Sequence, residues 1–217
     1  MEDTLSKNQV GKEGILITFE GIDGSGKSTQ IRRLKNFFKK NNIKNVIFTR
    51  EPGGSALGKK VKNLLINNNN NTISKESQIL LLIAARYEHY EKLILPLLKK
   101  NKIVISDRYQ DSTFAYQCEN NKDLQDLLIN FNHLLFKGFK PDLTFLLDIN
   151  PNVSLKRISK RKTNNAFDKK ALSFYKKVRS SYLKLAYKNS RIKVINAEDN
   201  QSEIFNKIIN TIFKYIK

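Results

Sequence analysis

Apolar and polar positions follow two rhythms along the chain. Short runs dense in β-branched and aromatic residues, at 16–20, 46–49, 103–106, 143–148 and 193–195, have the length and composition of buried strands. Between them lie longer stretches with apolar positions at three- and four-residue spacing. These predict helices over 29–40, 75–99, 112–137, 152–160, 169–187 and 202–216. In the first of them Ile31, Leu34, Phe37 and Phe38 share one face. Pro96 interrupts the second and predicts a kink or an end there. Strands alternating with helices indicate an α/β fold, a five-stranded parallel sheet flanked by helices in a three-layer sandwich. In such an open sheet, ligands bind beyond the carboxyl ends of the strands.

A chain of 217 residues builds one good core, so a single domain over 15–217 is expected, preceded by a loose tail at 1–14. That tail has no hydrophobic stretch and resembles neither a signal nor a transit peptide. The asparagine run at 67–71 reads as a surface loop. The longest strongly apolar run, 79–85, falls far short of a bilayer span, so no membrane association is expected. The lone cysteine, Cys118, excludes an internal disulfide and fits a reducing, cytoplasmic setting. A formal charge of +20 raises nucleic-acid binding as a class. The lysines are scattered rather than gathered in one arm, which argues against it, and a basic surface also attracts nucleotides.

The chemistry concentrates at the ends of the predicted strands. Gly21-Ile22-Asp23-Gly24-Ser25-Gly26-Lys27-Ser28 fits G-x-x-x-x-G-K-[ST], a phosphate-binding loop, and sits between a predicted strand and a predicted helix. The glycines let successive N–H groups converge on a phosphate, and the helix start adds its partial positive charge. Lys27 would reach the outer phosphates and Ser28 would ligate Mg²⁺. Arg50-Glu51-Pro52-Gly53-Gly54 follows the second strand. There Arg50 either contacts a second phosphorylated substrate or is a solvated turn residue. Asp107-Arg108-Tyr109 ends the third strand. Asp107 is placed to position Mg²⁺ or its water shell, and Arg108 to clamp a phosphate. Arg86 lies within an apolar helical stretch, snorkelling or reaching a ligand. The basic run around Arg157 and Arg161, with a hinge at 163–165, suits a mobile lid over about 157–168. His89 and His133 share no metal-ligand spacing, and Ser112 has no partners that would make it a nucleophile.

From about Ile15 onward the chain resembles the bacterial-type thymidylate kinases, P-loop nucleoside monophosphate kinases. The resemblance rests on the segment from Phe19 to Thr29, on Thr49 to Gly54, and on Ala84-Ala85-Arg86. Further matches are Asp107 to Tyr109 with Ser112-Thr113 and Ala115-Tyr116-Gln117, then Pro141 to Thr144 with Leu147-Asp148. It implies Mg²⁺-dependent transfer of the ATP γ-phosphoryl group to dTMP, in dTTP biosynthesis, by a cytoplasmic homodimer. It implies an ATP site at Gly21, Ile22, Asp23, Gly24, Ser25, Gly26, Lys27, Ser28 and Thr29. It implies a dTMP site at Asp23, Arg50, Leu82, Arg86, Arg108, Thr113 and Tyr116, with Arg86 on the thymine edge and Tyr116 against the sugar. The implied catalytic set is Asp23, Lys27, Arg108, Arg157 and Arg161, and the implied metal ligands are Ser28 and Asp107.

Three positions depart from the family pattern. Leu82 replaces a phenylalanine that stacks on thymine, a contact worth about 0.5–1.5 kcal/mol. The lid reads Asn165-Ala166-Phe167-Asp168 and lacks one arginine at Ala166. Gly24 stands where eukaryotic-like members place an arginine. The residues leave two alternatives open: a related nucleotide or nucleoside kinase, and a nucleic-acid-binding or catalytically impaired protein on the same scaffold.

Overall fold

The computed structural model describes residues 14–66, 73–119, 121–160 and 169–216, the side chains of 169, 170 and 216 excepted. Five strands form one all-parallel sheet: β1 (Ile15–Glu20), β2 (Val46–Arg50), β3 (Ile103–Asp107), β4 (Leu143–Asp148) and β5 (Ile192–Asn196). Their order is β2-β3-β1-β4-β5, so β1 is central. Ile15 pairs with Ile103 on one side, and Ile17 with Leu143 on the other.

Side chains on a strand point alternately to the two faces, and the core follows that period. Ile17, Phe19, Ile105 and Phe145 pack with Leu34 and Phe38 of α1 (Lys27–Lys40) and Ile208 and Ile212 of the last helix, Gln201–Ile216. Leu16 and Val104 face the other layer, with Ile79 and Ile83 from the helix at Lys75–His89 and Leu128 from the helix at Lys122–Phe136.

The full helix order is α1, α2 (Ala56–Ile66), α3 (Lys75–His89), α4 (Leu95–Lys99), α5 (Gln110–Thr113), α6 (Lys122–Phe136), α7 (Pro151–Ser159), α8 (Lys169–Lys188) and α9 (Gln201–Ile216). The long helix expected over 75–99 is a continuous helical stretch with a π-helical turn, Tyr90–Ile94, ahead of Pro96. Inside this continuous stretch Pro96 cannot donate to a carbonyl of the preceding turn, and the π-helical turn directly ahead of it marks where the bonding pattern shifts. The helix expected over 112–137 is not one element. A π-helical turn, Phe114–Cys118, follows α5, the chain reverses at Glu119 with φ 45°, and α6 starts anew from Asn121. The Asn121 side chain accepts from Leu124 N–H at 3.1 Å, the local cap that makes a fresh start favourable. α2 is not among the helices expected above, although Leu57, Val61, Leu64 and Leu65 keep a helical spacing along it.

The expected tail at 1–14 lies outside the described residues except for Gly14. That residue is buried and donates to the Leu98 carbonyl at 2.9 Å, so it belongs to the domain. The asparagine run at 67–71 and the lid residues 161–168 also lie outside the described residues.

Phe19 and Phe145 stack at 5.2 Å between centroids at the centre of the sheet. Replacing Phe145 with Ala should lower unfolding free energy by about 3–5 kcal/mol. Urea denaturation followed by far-UV circular dichroism measures this, with the midpoint shifting and the slope preserved.

Candidate active site

The carboxyl ends of β1, β2 and β3 open into a cleft of about 630 Å³. Its first wall is the glycine loop. α1 begins at Lys27 with no side-chain cap, its N-cap Gly26 being left-handed at φ 96°, so the helix start is free to receive an anion. Lys27 Nζ donates to the carbonyls of Gly21 at 2.8 Å and Ile22 at 3.0 Å. Burial, reinforced by the charge of Arg108, pulls its pKa down to about 7. Asp23, Gly24, Gly26, Lys27, Ser28 and Thr29 line the cleft. Gly21, Ile22 and Ser25 are buried beside them, with the carbonyls of the first two holding Lys27 Nζ. Gly24 has φ 77°, and a Cβ there would lie 2.8 Å from the Ser154 carbonyl. An arginine at position 24 therefore has no place on this backbone.

The second wall comes from β3. Ser28 Oγ donates to Asp107 Oδ2 at 3.3 Å, bringing the two expected metal ligands together. Arg108 adopts φ 72°, a left-handed conformation that costs a non-glycine residue about 1–3 kcal/mol. Three contacts hold the turn: Arg108 N–H to Phe19 O at 3.0 Å, Ser106 Oγ to Arg108 O at 2.7 Å, and Tyr109 N–H to Glu20 Oε1 at 2.7 Å. The strain aims the guanidinium across the cleft at Asp23, 2.6 Å away, and at Tyr116 Oη, 3.3 Å away. Burial opposes ionisation of Asp23, but the charges of Arg108 and Lys27 outweigh it and hold the carboxyl below its usual range.

The third wall carries the expected base-facing residues. Arg86 is buried on α3, donating to Glu51 Oε2 at 2.8 Å and Thr113 Oγ1 at 2.7 Å. Its Nη1 is buried with no partner among the described residues. Leu82, Thr113 and Tyr116 line the same end, and Arg50 lies exposed at the rim. Arg157 is not brought to the cleft: both of its terminal nitrogens hold the Ala197 carbonyl at 3.2 Å. Arg161 lies outside the described residues.

Several functional partners escaped the sequence reading. His89 Nδ1 meets Glu51 Oε1 at 2.9 Å, and its Nε2 meets Thr49 Oγ1 at 2.7 Å. The available signal was its position one helical turn after Arg86, on the same face. Glu20 sits wholly buried where β1 meets the glycine loop, bonded to Tyr109 N–H and to Ser112 and Tyr182. A charge ending an apolar strand was its signal. Burial and then the Asp111 carboxylate push Glu20 up to about 7, while Ser112, Arg108 and the Tyr109 N–H restrain the rise. Ser112 is no nucleophile, its hydroxyl being engaged by these groups. Among the described residues no cluster of three or more metal-ligating side chains occurs.

A lysine folded back onto a glycine loop, with an arginine from the end of β3 reaching the same cleft, defines a P-loop protein built to bring two phosphorylated ligands together. Comparison with known proteins narrows the class. A family model described as thymidylate kinase matches residues 19–208. The thymidylate kinase of Ligilactobacillus salivarius is 36% identical over 207 residues, spanning 94% of this chain and 100% of that one. That of Carboxydothermus hydrogenoformans is 42% identical over 192 residues, spanning 88% and 93%. The crystal structure of thymidylate kinase from Ehrlichia chaffeensis matches with a TM-score of 0.72 and 35% identity, over 92% of this chain and 98% of that one. The chain belongs to the thymidylate kinase family.

Glu51, His89 and Arg86 form a buried polar chain that leaves no room at Gly54, where a Cβ would lie 2.2 Å from His89 Nε2. Gly54→Ala should push the imidazole off Thr49 and Glu51 and destabilise the protein by about 1–3 kcal/mol. Thermal unfolding reads this directly, as a lowered midpoint relative to the parent.

Proposed function

We propose that this cleft transfers the γ-phosphoryl group of ATP to dTMP, giving ADP and dTDP. The observation that carries the reading is the convergence of Lys27 and Arg108 on one cleft, both donating to the Gly21 carbonyl, with Arg86, whose buried Nη1 is unpartnered among the described residues, lining the same cleft. A buried donor without a partner costs about 1–3 kcal/mol, and a thymine carbonyl satisfies it. ATP phosphates occupy the glycine loop. Arg108, with Arg50 at the rim, holds the dTMP phosphate. Tyr116 lies against the sugar and Leu82 against the base.

The acceptor is already an anion, so no strong general base is needed. Catalysis consists of alignment and charge neutralisation. Approach of the phosphates restores the charge of Lys27 by offsetting its burial, and Asp23 orients Arg108 between the reacting groups. Ser28 and Asp107 fit Mg²⁺, a hard cation that takes few protein oxygens beside phosphates and water. When bound, Mg²⁺ supplies further neutralisation of the phosphate charge. Arg157 and Arg161 belong to the lid over 157–168, and closure would turn Arg157 from the Ala197 carbonyl to phosphate oxygens.

The test is a coupled ATP/Mg²⁺ assay with dTMP, dUMP, dCMP, AMP, GMP and thymidine as separate acceptors. We expect dTMP to lead, with dUMP behind it by about 10–200-fold, the range set by one methyl group. Lys27→Ala should abolish transfer with an unchanged circular dichroism spectrum. Equal turnover of all acceptors, or an active Lys27→Ala protein, overturns the reading.

The working unit in this proposal is a cytoplasmic homodimer. α3 exposes Leu80 and Tyr87, seven positions apart on one face, and neighbouring α6 exposes Ile129 and Leu134. No helix among the described residues is long and apolar enough to cross a membrane. Sedimentation equilibrium should give a dimer mass for the parent and a monomer mass for the Leu80→Glu/Leu134→Glu variant. A monomeric parent excludes this interface.

A further inference from the structure

Arg108 reaches the cleft from a strained turn, and its guanidinium has two edges. Nη2 faces Asp23 and Tyr116 in the cleft. Nη1 faces inward, donating to Ser112 Oγ at 3.0 Å and Tyr182 Oη at 3.3 Å, and to the Gly21 carbonyl at 3.3 Å. The two hydroxyls lie 2.8 Å apart.

Each hydroxyl has one proton and two lone pairs. A hydroxyl accepts from Arg108 only if its proton points elsewhere. Glu20 provides the other direction. Ser112 Oγ donates to Glu20 Oε2 at 2.5 Å, and Tyr182 Oη donates to the same oxygen at 3.0 Å. The second oxygen, Oε1, takes the Tyr109 N–H that closes the strained turn. A single carboxylate thus fixes the backbone carrying Arg108 and sets the hydroxyl protons that let Arg108 dock its inner edge. The arrangement joins β1, the start of α5 and α8, three elements distant in sequence.

We propose that Glu20, acting through Ser112 and Tyr182, is the positioning residue for Arg108. The relay locks the inner edge of the guanidinium so that the outer edge meets the acceptor phosphate. Of the three, Ser112 lines the cleft beside Arg108, while Glu20 and Tyr182 do not line it. The inference rests on the reading of Arg108 as the dTMP phosphate ligand.

The relay makes a demand that a merely structural role does not. It acts on recognition of the phosphate and leaves recognition of the nucleoside alone. Calorimetric titration of dTMP and of thymidine, at a pH above the titration of Glu20, separates the two through the ratio of their dissociation constants. Glu20→Gln keeps shape but puts an amide where an acceptor was. The amide faces either the Tyr109 N–H or the two hydroxyls, and in the second case it turns their protons onto Arg108. We expect it to cut the dTMP advantage over thymidine by about tenfold, the effect of one hydrogen bond to a charged group. Tyr182→Phe retains the ring and removes one hydroxyl, and should cut the advantage by about threefold with thymidine binding unchanged.

Arg108→Met is the control. If it leaves the dTMP advantage intact, the assignment of Arg108 fails and the relay with it. If it abolishes the advantage while Glu20→Gln and Tyr182→Phe keep the parental ratio, the relay alone is overturned. Equal weakening of both ligands by Glu20→Gln also overturns it. Should Glu20→Gln not fold, Tyr182→Phe decides.

Discussion

Removing a guanidinium from water costs several kcal/mol unless oxygens replace the hydration shell. Arg108 pays this at the floor of the cleft, where 17% of its side chain is exposed. Burial alone lowers its pKa, yet the oxygens of Tyr116, Tyr182, Asp23 and Glu20 drive it well above its ordinary value. The compensating groups come from β1, the glycine loop, the π-helical turn after α5 and α8. Those elements must therefore meet where they do. Asp111, one residue before Ser112, is tied to Arg191 at 2.7 Å, and Arg191 donates to Thr144 of β4 at 2.6 Å. A line of charged and hydroxylic groups thus runs from α5 to the amino ends of β4 and β5.

The same rule shapes the opposite wall. Arg86 is buried against Glu51, and Glu51 against His89. Breaking such a buried set by removing one member leaves an uncompensated charge. The π-helical turn after α5 carries Tyr116, whose ring lies 5.0 Å from the Arg108 guanidinium. Irregular helix at this point is consistent with the frequent placement of π turns at functional sites.

The sheet was legible because buried parallel strands are nearly continuous runs of β-branched and aromatic residues. The glycine loop, Asp107 and Arg108 were legible because their positions follow from strand ends. The break at Glu119 was not, since the apolar period of 112–137 carries across it and only the positive-φ backbone of Glu119 and the Asn121 cap divide it. Glu20, His89 and Tyr182 were missed for a different reason. Their meaning lies in partners up to 162 positions away, which no local pattern encodes. Arg157 shows the converse: its sequence position suits a lid, while in this structure the Ala197 carbonyl holds it aside.

The central place of β1 has an evolutionary consequence. A strand bonded on both sides opens only when much of the domain does, whereas edges and termini open locally at little cost. The glycine loop is continuous with that strand. Mutations at the periphery therefore thin the population of folded molecules before they alter the phosphate grip of any one molecule. A lineage can drift far at its edges, compensating through the amount of protein made, while the individual catalyst stays the same.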